Sequence, residues 1–268
     1  MAETVDPVRL PAAPDAGRGT PPEPTRPPTP PSTADDGKVM SLVDHLGELR
    51  DRLIRSVVAI AVGSAVGFLL SDPIIHFLSG ALPAGVPKLT TFGIGEAFAI
   101  RLRISVIVGI ILAMPVLLYQ LWAFISPGLT PGERRAVRPW IPLALAFFTL
   151  GVAIAWVVLP FAATFLVGFV TSDMQFLPSA KEYLDFVSTL FLAFGLLLQF
   201  PILLYGLSGA GVLSSERLRR SRRVVILAIA VLAAAATPGT DLISPTILGG
   251  TMYLLFEGTL FFIRRSGR

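Results

Sequence analysis

From Ser41 onward the chain alternates long apolar runs with short polar interruptions, and the apolar positions recur at helical spacing. Leu42, Leu46, Leu49 and Leu53 fall at i, i+4, i+7 and i+11, which is one stripe of a helix. Asp44, Glu48, Asp51 and Arg55 line its other side, with Arg52 four residues after Glu48, and Ser41 with Asp44 reads as a helix start. The pattern predicts an interfacial amphipathic helix leading directly into a membrane span. Six apolar segments follow, at about 56–70, 98–125, 139–170, 185–208, 222–236 and 242–263, where a crossing needs roughly 20 helical residues. The fifth is the exception. Only 13 residues stand between Arg223 and Thr237, about 20 Å of helix against a hydrocarbon core of about 30 Å. The sixth carries Gly249 and Gly250 near its middle, which allows close backbone approach at some cost in helix stability. A short final pair of this kind thins or tilts the lipid around it.

The polar interruptions carry their own signals. In 126–138, Pro127, Gly128, Pro131 and Gly132 predict tight turns that end one helix and hold Glu133, Arg134 and Arg135 at a short, fixed tip. The connections 71–97 and 171–184, both containing proline, predict structured caps on the opposite face. Residues 1–38 hold ten of the 23 prolines among Ala, Thr, Asp and Glu, too little apolar surface to fold, and predict a disordered tail. That tail has no apolar core of the signal-peptide type, so the first span is expected to direct insertion itself. The expected organisation is a tail over 1–38, a six-helix membrane domain over 39–265 and a short end at 266–268.

Composition sharpens the class. With 53% hydrophobic and 15% charged residues and a mean hydropathy of +0.71, the chain falls well below the roughly 25% charge of soluble domains. It reads as an all-α integral membrane protein. The absence of cysteine excludes disulfides, thiolate metal sites and a cysteine nucleophile, and two histidines, His45 and His76, are too few for a histidine metal cluster. No cofactor or metal is expected. Lys and Arg number 18 on the side of the amino terminus, the 126–138 and 209–223 connections and the carboxyl terminus, against four, Lys88, Arg101, Arg103 and Lys181, on the other. An even number of spans and this bias predict both termini in the cytoplasm.

Two stretches carry a family resemblance. YQLWAFISPGLTPGERRAVR, residues 119–138, resembles the first cytoplasmic hairpin of the TatC family, the polytopic receptor subunit of twin-arginine protein translocases. HLGELRDRL, residues 45–53, resembles that family's amino-terminal helix signature. The resemblance extends over about residues 40–265. It implies a concave, cup-like six-helix bundle that binds twin-arginine signal peptides of folded cargo. It also implies TatA- and TatB-type single-span partners on the concave face and span five, self-association into a larger complex, and transport across the cytoplasmic membrane driven by the proton-motive force. Glu48 and Glu133 are the implied ligands of the paired arginines, with Arg50, Phe124, Arg134 and Arg135 beside them. A guanidinium donates two parallel hydrogen bonds to a carboxylate and a lysine ammonium cannot, which would let such a site separate two residues of equal charge. The competing reading is local: Glu48 held by Arg52, and Glu133 by Arg134 or Arg135, in exposed pairs worth about 0–1 kcal/mol each.

Polar groups inside the apolar runs need a reason, since a charge at mid-bilayer costs about 2.5–3.5 kcal/mol even on insertion scales. Gln120 stands late in span two, at the interface. Gln199 lies in FGLLLQFP beside Pro201, where relatives often carry Glu; it serves either partner docking or an interhelical hydrogen bond. Glu257 follows Tyr253 by one turn and matches the family's Phe-Glu of span six; facing the bundle its partner is a tyrosine or backbone group, and near the inner surface it is either solvated or paired with Arg264 or Arg265. Two departures from the family stand out, Thr251 where many relatives have proline and an extra residue in the turn at 237–241, which loosens the placement of Asp241. No P-loop, HExxH or GxSxG is present, so ATP hydrolysis and the familiar intramembrane protease chemistries lack their residues, and the chain reads as no enzyme. A secondary transporter would gather polar groups at the midplane of repeated halves. Here they crowd one face, and no repeat is visible. A scaffold that binds no cargo would have no use for both Glu48 and Glu133 on that face.

Overall fold

The structure, a computed structural model, describes Ala2 and residues 42–137, 140–209, 221–237 and 241–265. Every helix below belongs to one compact unit, Leu42–Arg268. The tail over 1–38, the Ser41 start signal, Arg138 and the segment 266–268 lie outside the described residues.

The apolar runs form helices. The entry stripe and the first span are one helix, α1 (Leu42–Leu69); it is followed by α2 (Ser71–Ser79) and α3 (Glu96–Ile125). A 3₁₀ turn (Ser126–Gly128) and α4 (Pro131–Val137) lead to α5 (Trp140–Val167). The fourth apolar segment is two helices, α6 (Ala180–Leu197) and α7 (Phe200–Gly209), and the last two are α8 (Arg222–Ala236) and α9 (Ile243–Arg265). Among the described residues, four helical stretches are long and apolar enough to cross a membrane, Asp44–Leu69, Glu96–Gly128, Ile141–Val167 and Ala180–Leu204. At 15 residues, or about 22 Å, α8 falls short of the hydrocarbon thickness, as its sequence predicted.

One expectation is corrected. Pro131 and Gly132 do not set a tight turn; they open α4, because proline lacks only a donor that the first helical turn leaves unpaired in any case. Within the 71–97 connection, 71–79 forms α2. The two outer connections are joined by Thr90 N–H donating to Pro178 C=O and Ala180 N–H to Thr90 C=O, both at 2.9 Å. Tyr183 O–H donates to Leu78 C=O at 2.7 Å, and Arg103 pairs with Asp185 at 2.7 Å, so α6 is tied to α2 and α3 at this end.

The buried core sits where α5, α6 and α9 meet, around Ala155, Leu159, Leu190, Phe194, Leu248, Met252 and Phe256. The α1 helix lies outside that core and packs along α3, the most extensive helix pairing among the described elements. Small residues make this possible. A Cβ on Gly63 would stand 2.7 Å from the Gly109 carbonyl oxygen, and one on Gly67 would stand 2.8 Å from that of Ser105. With no hydrophobic drive between helices in lipid, close backbone approach supplies the packing. The antiparallel register that puts Gly63 on Gly109 also puts the start of α1 beside the end of α3. The outward faces of α1, including Leu46, Leu53, Val57 and Val62, are exposed as lipid-facing surface should be.

Candidate functional site

At the start of α1 the charged stripe turns toward α3. Glu48 and Arg52 are one turn apart, and their side chains are only 17% and 18% exposed. Arg52 donates to Glu48 Oε1 through Nε at 2.9 Å and again through Nη2, and its Nη1 reaches Gln120 Oε1 on α3 at 3.4 Å. The other carboxylate oxygen, Glu48 Oε2, is buried and has no hydrogen-bond partner among the described residues. One turn before Glu48, the His45 ring stacks on Phe124 near the end of α3, with centroids 4.5 Å apart and planes 13° from parallel. A half-engaged carboxylate beside an aromatic stack is a surface suited to a planar cation.

The remaining candidates lie on α1 and α4. Arg50 is exposed and pairs with Asp51 at 3.2 Å, so it is free to turn to a ligand at little cost. The backbone of Glu133 lies in α4 and its side chain lies outside the described residues; Arg134 and Arg135, on the same helix, are exposed. That helix packs against α7. Gln120, expected at the interface, is buried against α1: α3 carries it to the level of Arg52, a link across 68 positions that no local pattern announces.

Deeper groups settle among themselves. Gln199 is buried at the break between α6 and α7, and its Nε2 donates to the Ala144 carbonyl of α5 at 3.0 Å, the interhelical bond that was one of its two readings. Pro201, in the first turn of α7, is buried beside it and explains why the fourth segment is broken. Glu257 pairs with Arg222 at the start of α8, and Arg222 also donates to Tyr253 O–H at 3.0 Å. The Arg264 and Arg265 side chains lie outside the described residues. Asp241 Oδ2 accepts from Ser244 N–H at 2.7 Å and so caps α9. Among the described residues no group of three or more His, Asp or Glu side chains could hold a metal ion.

Helices of membrane-spanning length, a core built between them and a partly buried charged site at one end define a multi-pass all-α membrane protein. The family profile described as Sec-independent protein translocase protein (TatC) matches residues 44–250. The TatC of Carboxydothermus hydrogenoformans is 34% identical over 227 residues, 84% of this chain and 93% of that protein. The TatC of Desulforapulum autotrophicum is 36% identical over 229 residues, 84% of each. A crystal structure of the twin-arginine translocase receptor TatC superposes with a TM-score of 0.71 at 34% identity, covering 84% of this chain and all of that one. A second, of the receptor in the detergent DDM, gives 0.70 at 35% identity over 81% of this chain and 98% of the other. The chain belongs to the TatC family. It is a membrane component of a Sec-independent protein translocase and not an enzyme.

Proposed function

We propose that this chain is the receptor that binds twin-arginine signal peptides at the cytoplasmic face of the cytoplasmic membrane, through Glu48 and Glu133. With TatA- and TatB-type partners it passes folded cargo across that membrane on the proton-motive force. The observation that carries the reading is the partly buried Glu48 carboxylate, held by Arg52 through one oxygen and with the other unpartnered among the described residues. Phe124 and the exposed Leu46 and Leu49 offer apolar surface to the rest of a signal peptide. Binding of an Arg-Arg peptide by the purified protein, with a Lys-Lys peptide as competitor, tests it. Equal affinity for the two would refute recognition by paired carboxylates.

The orientation follows from the Lys and Arg bias of 18 to four. Reporter fusions at Gly132 and Ser221 are expected on the cytoplasmic side, and those at Gly85 and Ser179 outside. An outward reporter at Gly132 would overturn the scheme. Partner docking is assigned to α8, too short to span unaided, and the neighbourhood of Gln199 and Pro201. Gln199→Leu is expected to weaken partner association, by about 0.6–2 kcal/mol, while leaving peptide binding nearly intact. Unchanged co-purification of the partner would reduce Gln199 to its bond with Ala144 and move the docking surface elsewhere.

A further inference from the structure

We infer that the segment 92–98 is an interfacial wedge that seats the chain in the lipid leaflet at the end opposite the Glu48 site, with Glu96 as the clamp that shapes it. The segment is mostly loop, yet Phe92 and Phe98 are 67% and 62% exposed and Ile94 wholly so. Three large apolar side chains gathered on one short stretch mark an interaction surface. The loop is also held in shape. Glu96, in the first turn of α3, accepts through one oxygen from Phe92 N–H at 2.7 Å and Gly93 N–H at 2.9 Å, and its own N–H donates to the Gly93 carbonyl at 3.1 Å. These bonds fold the loop onto the start of α3 and keep Phe92 and Ile94 at the first turn of that helix.

What covers the patch follows from its neighbours and its depth. Phe98 meets Phe68 of α1 edge to face, with centroids 6.5 Å apart, and Phe68 continues into the exposed strip of Val62 and Val66 that faces lipid. The wedge is thus the end of a surface already given to the bilayer. Arg101 pairs with Asp72 and Arg103 with Asp185, and charges of this kind mark the edge of the hydrocarbon. Phe98 precedes Arg101 on α3 by one turn, about 4.5 Å, which lies inside a headgroup layer about 5–7 Å deep on each side of the core. Aromatic side chains favour that layer because it accepts both an apolar body and a polar surround.

The chain has no cysteine, so a single introduced one carries a spin label without competition. In vesicles of phosphatidylcholine and phosphatidylglycerol, relaxation of the label by oxygen, which concentrates in lipid, is compared with relaxation by a water-soluble nickel chelate. Val62→Cys on α1 supplies the lipid reference and the exposed Lys88→Cys the water reference. Labels at Ile94→Cys and Phe98→Cys are expected to give oxygen-to-nickel ratios well above the Lys88 value and shifted toward that of Val62. Adding Glu96→Ala, which removes the acceptor of both loop N–H groups, is expected to drop the Ile94 ratio to the Lys88 value and to leave the Phe98 ratio raised. Ratios equal to the Lys88 value at both positions would overturn the wedge by placing it in water. Poor relaxation by both reagents would overturn it too, since protein would then cover the patch. An Ile94 ratio unmoved by Glu96→Ala would overturn the clamp. None of these outcomes depends on signal-peptide binding.

Discussion

Glu48→Ala is expected to weaken binding of an Arg-Arg signal peptide by about 10- to 100-fold, the net loss of one charge-assisted hydrogen bond worth about 1.5–3 kcal/mol. The substitution removes both carboxylate oxygens from the end of α1 and leaves Arg52 facing Gln120 alone. Glu133→Ala should act in the same direction, since two carboxylates are needed for two guanidinium groups. Each variant should also narrow the advantage of Arg-Arg over Lys-Lys. Membrane insertion should not change, because neither side chain belongs to the apolar surface that drives it. Wild-type binding and wild-type preference in both variants would remove these carboxylates from the recognition site.

A second large effect is expected far from any ligand, at Gly109. A Cβ there would stand 2.6 Å from Ser64 N and 2.9 Å from the Ile60 carbonyl oxygen, with Ser64 Oγ closer still. Backbone atoms cannot step aside as a flexible side chain can, so α1 and α3 must separate. Gly109→Val is expected to cost about 1–3 kcal/mol of packing and to lower the thermal midpoint of the detergent-solubilised protein. The separation should reach the site, since the same pairing of helices holds Gln120 against Arg52 and Phe124 against His45. Peptide binding should therefore fall together with stability. A Gly109→Val protein with unaltered thermal midpoint and binding would show that close approach of these helices is dispensable.

Much of the fold could be read from the runs themselves, for reasons specific to a membrane protein. Lipid forces backbone groups to pair within a segment, so an apolar run of sufficient length is a helix almost without alternative. The shortness of α8 was announced by Arg223 and Thr237, whereas the break at 198–199, beside Pro201, fell inside what reads as one apolar run over 185–208. What escaped was mostly tertiary. Gly63 and Gly67 stand at the spacing of a close helix contact, yet only the position of Gly109 and Ser105 opposite them gives that spacing a meaning. The pairing of Glu257 with Arg222, a partner that its local sequence does not name, depends on how α8 returns along α9. At Pro131 the local rule itself has two outcomes, since proline ends one helix and begins the next with equal ease. At the site, Glu48, Arg52 and Phe124 were legible from motif and spacing, whereas Gln120 and the stack of His45 on Phe124 arise only when α1 and α3 lie antiparallel.

The most direct test of the receptor reading is photo-crosslinking of a labelled signal peptide from a reactive residue placed at Ala123, next to Phe124, with one at Phe98, near the opposite end of α3, as the control. An Arg-Arg peptide should be captured from position 123 and not from position 98, and a Lys-Lys peptide should be captured from neither. Equal capture of both peptides at 123, or capture of the Arg-Arg peptide only at 98, would contradict binding at the Glu48 site.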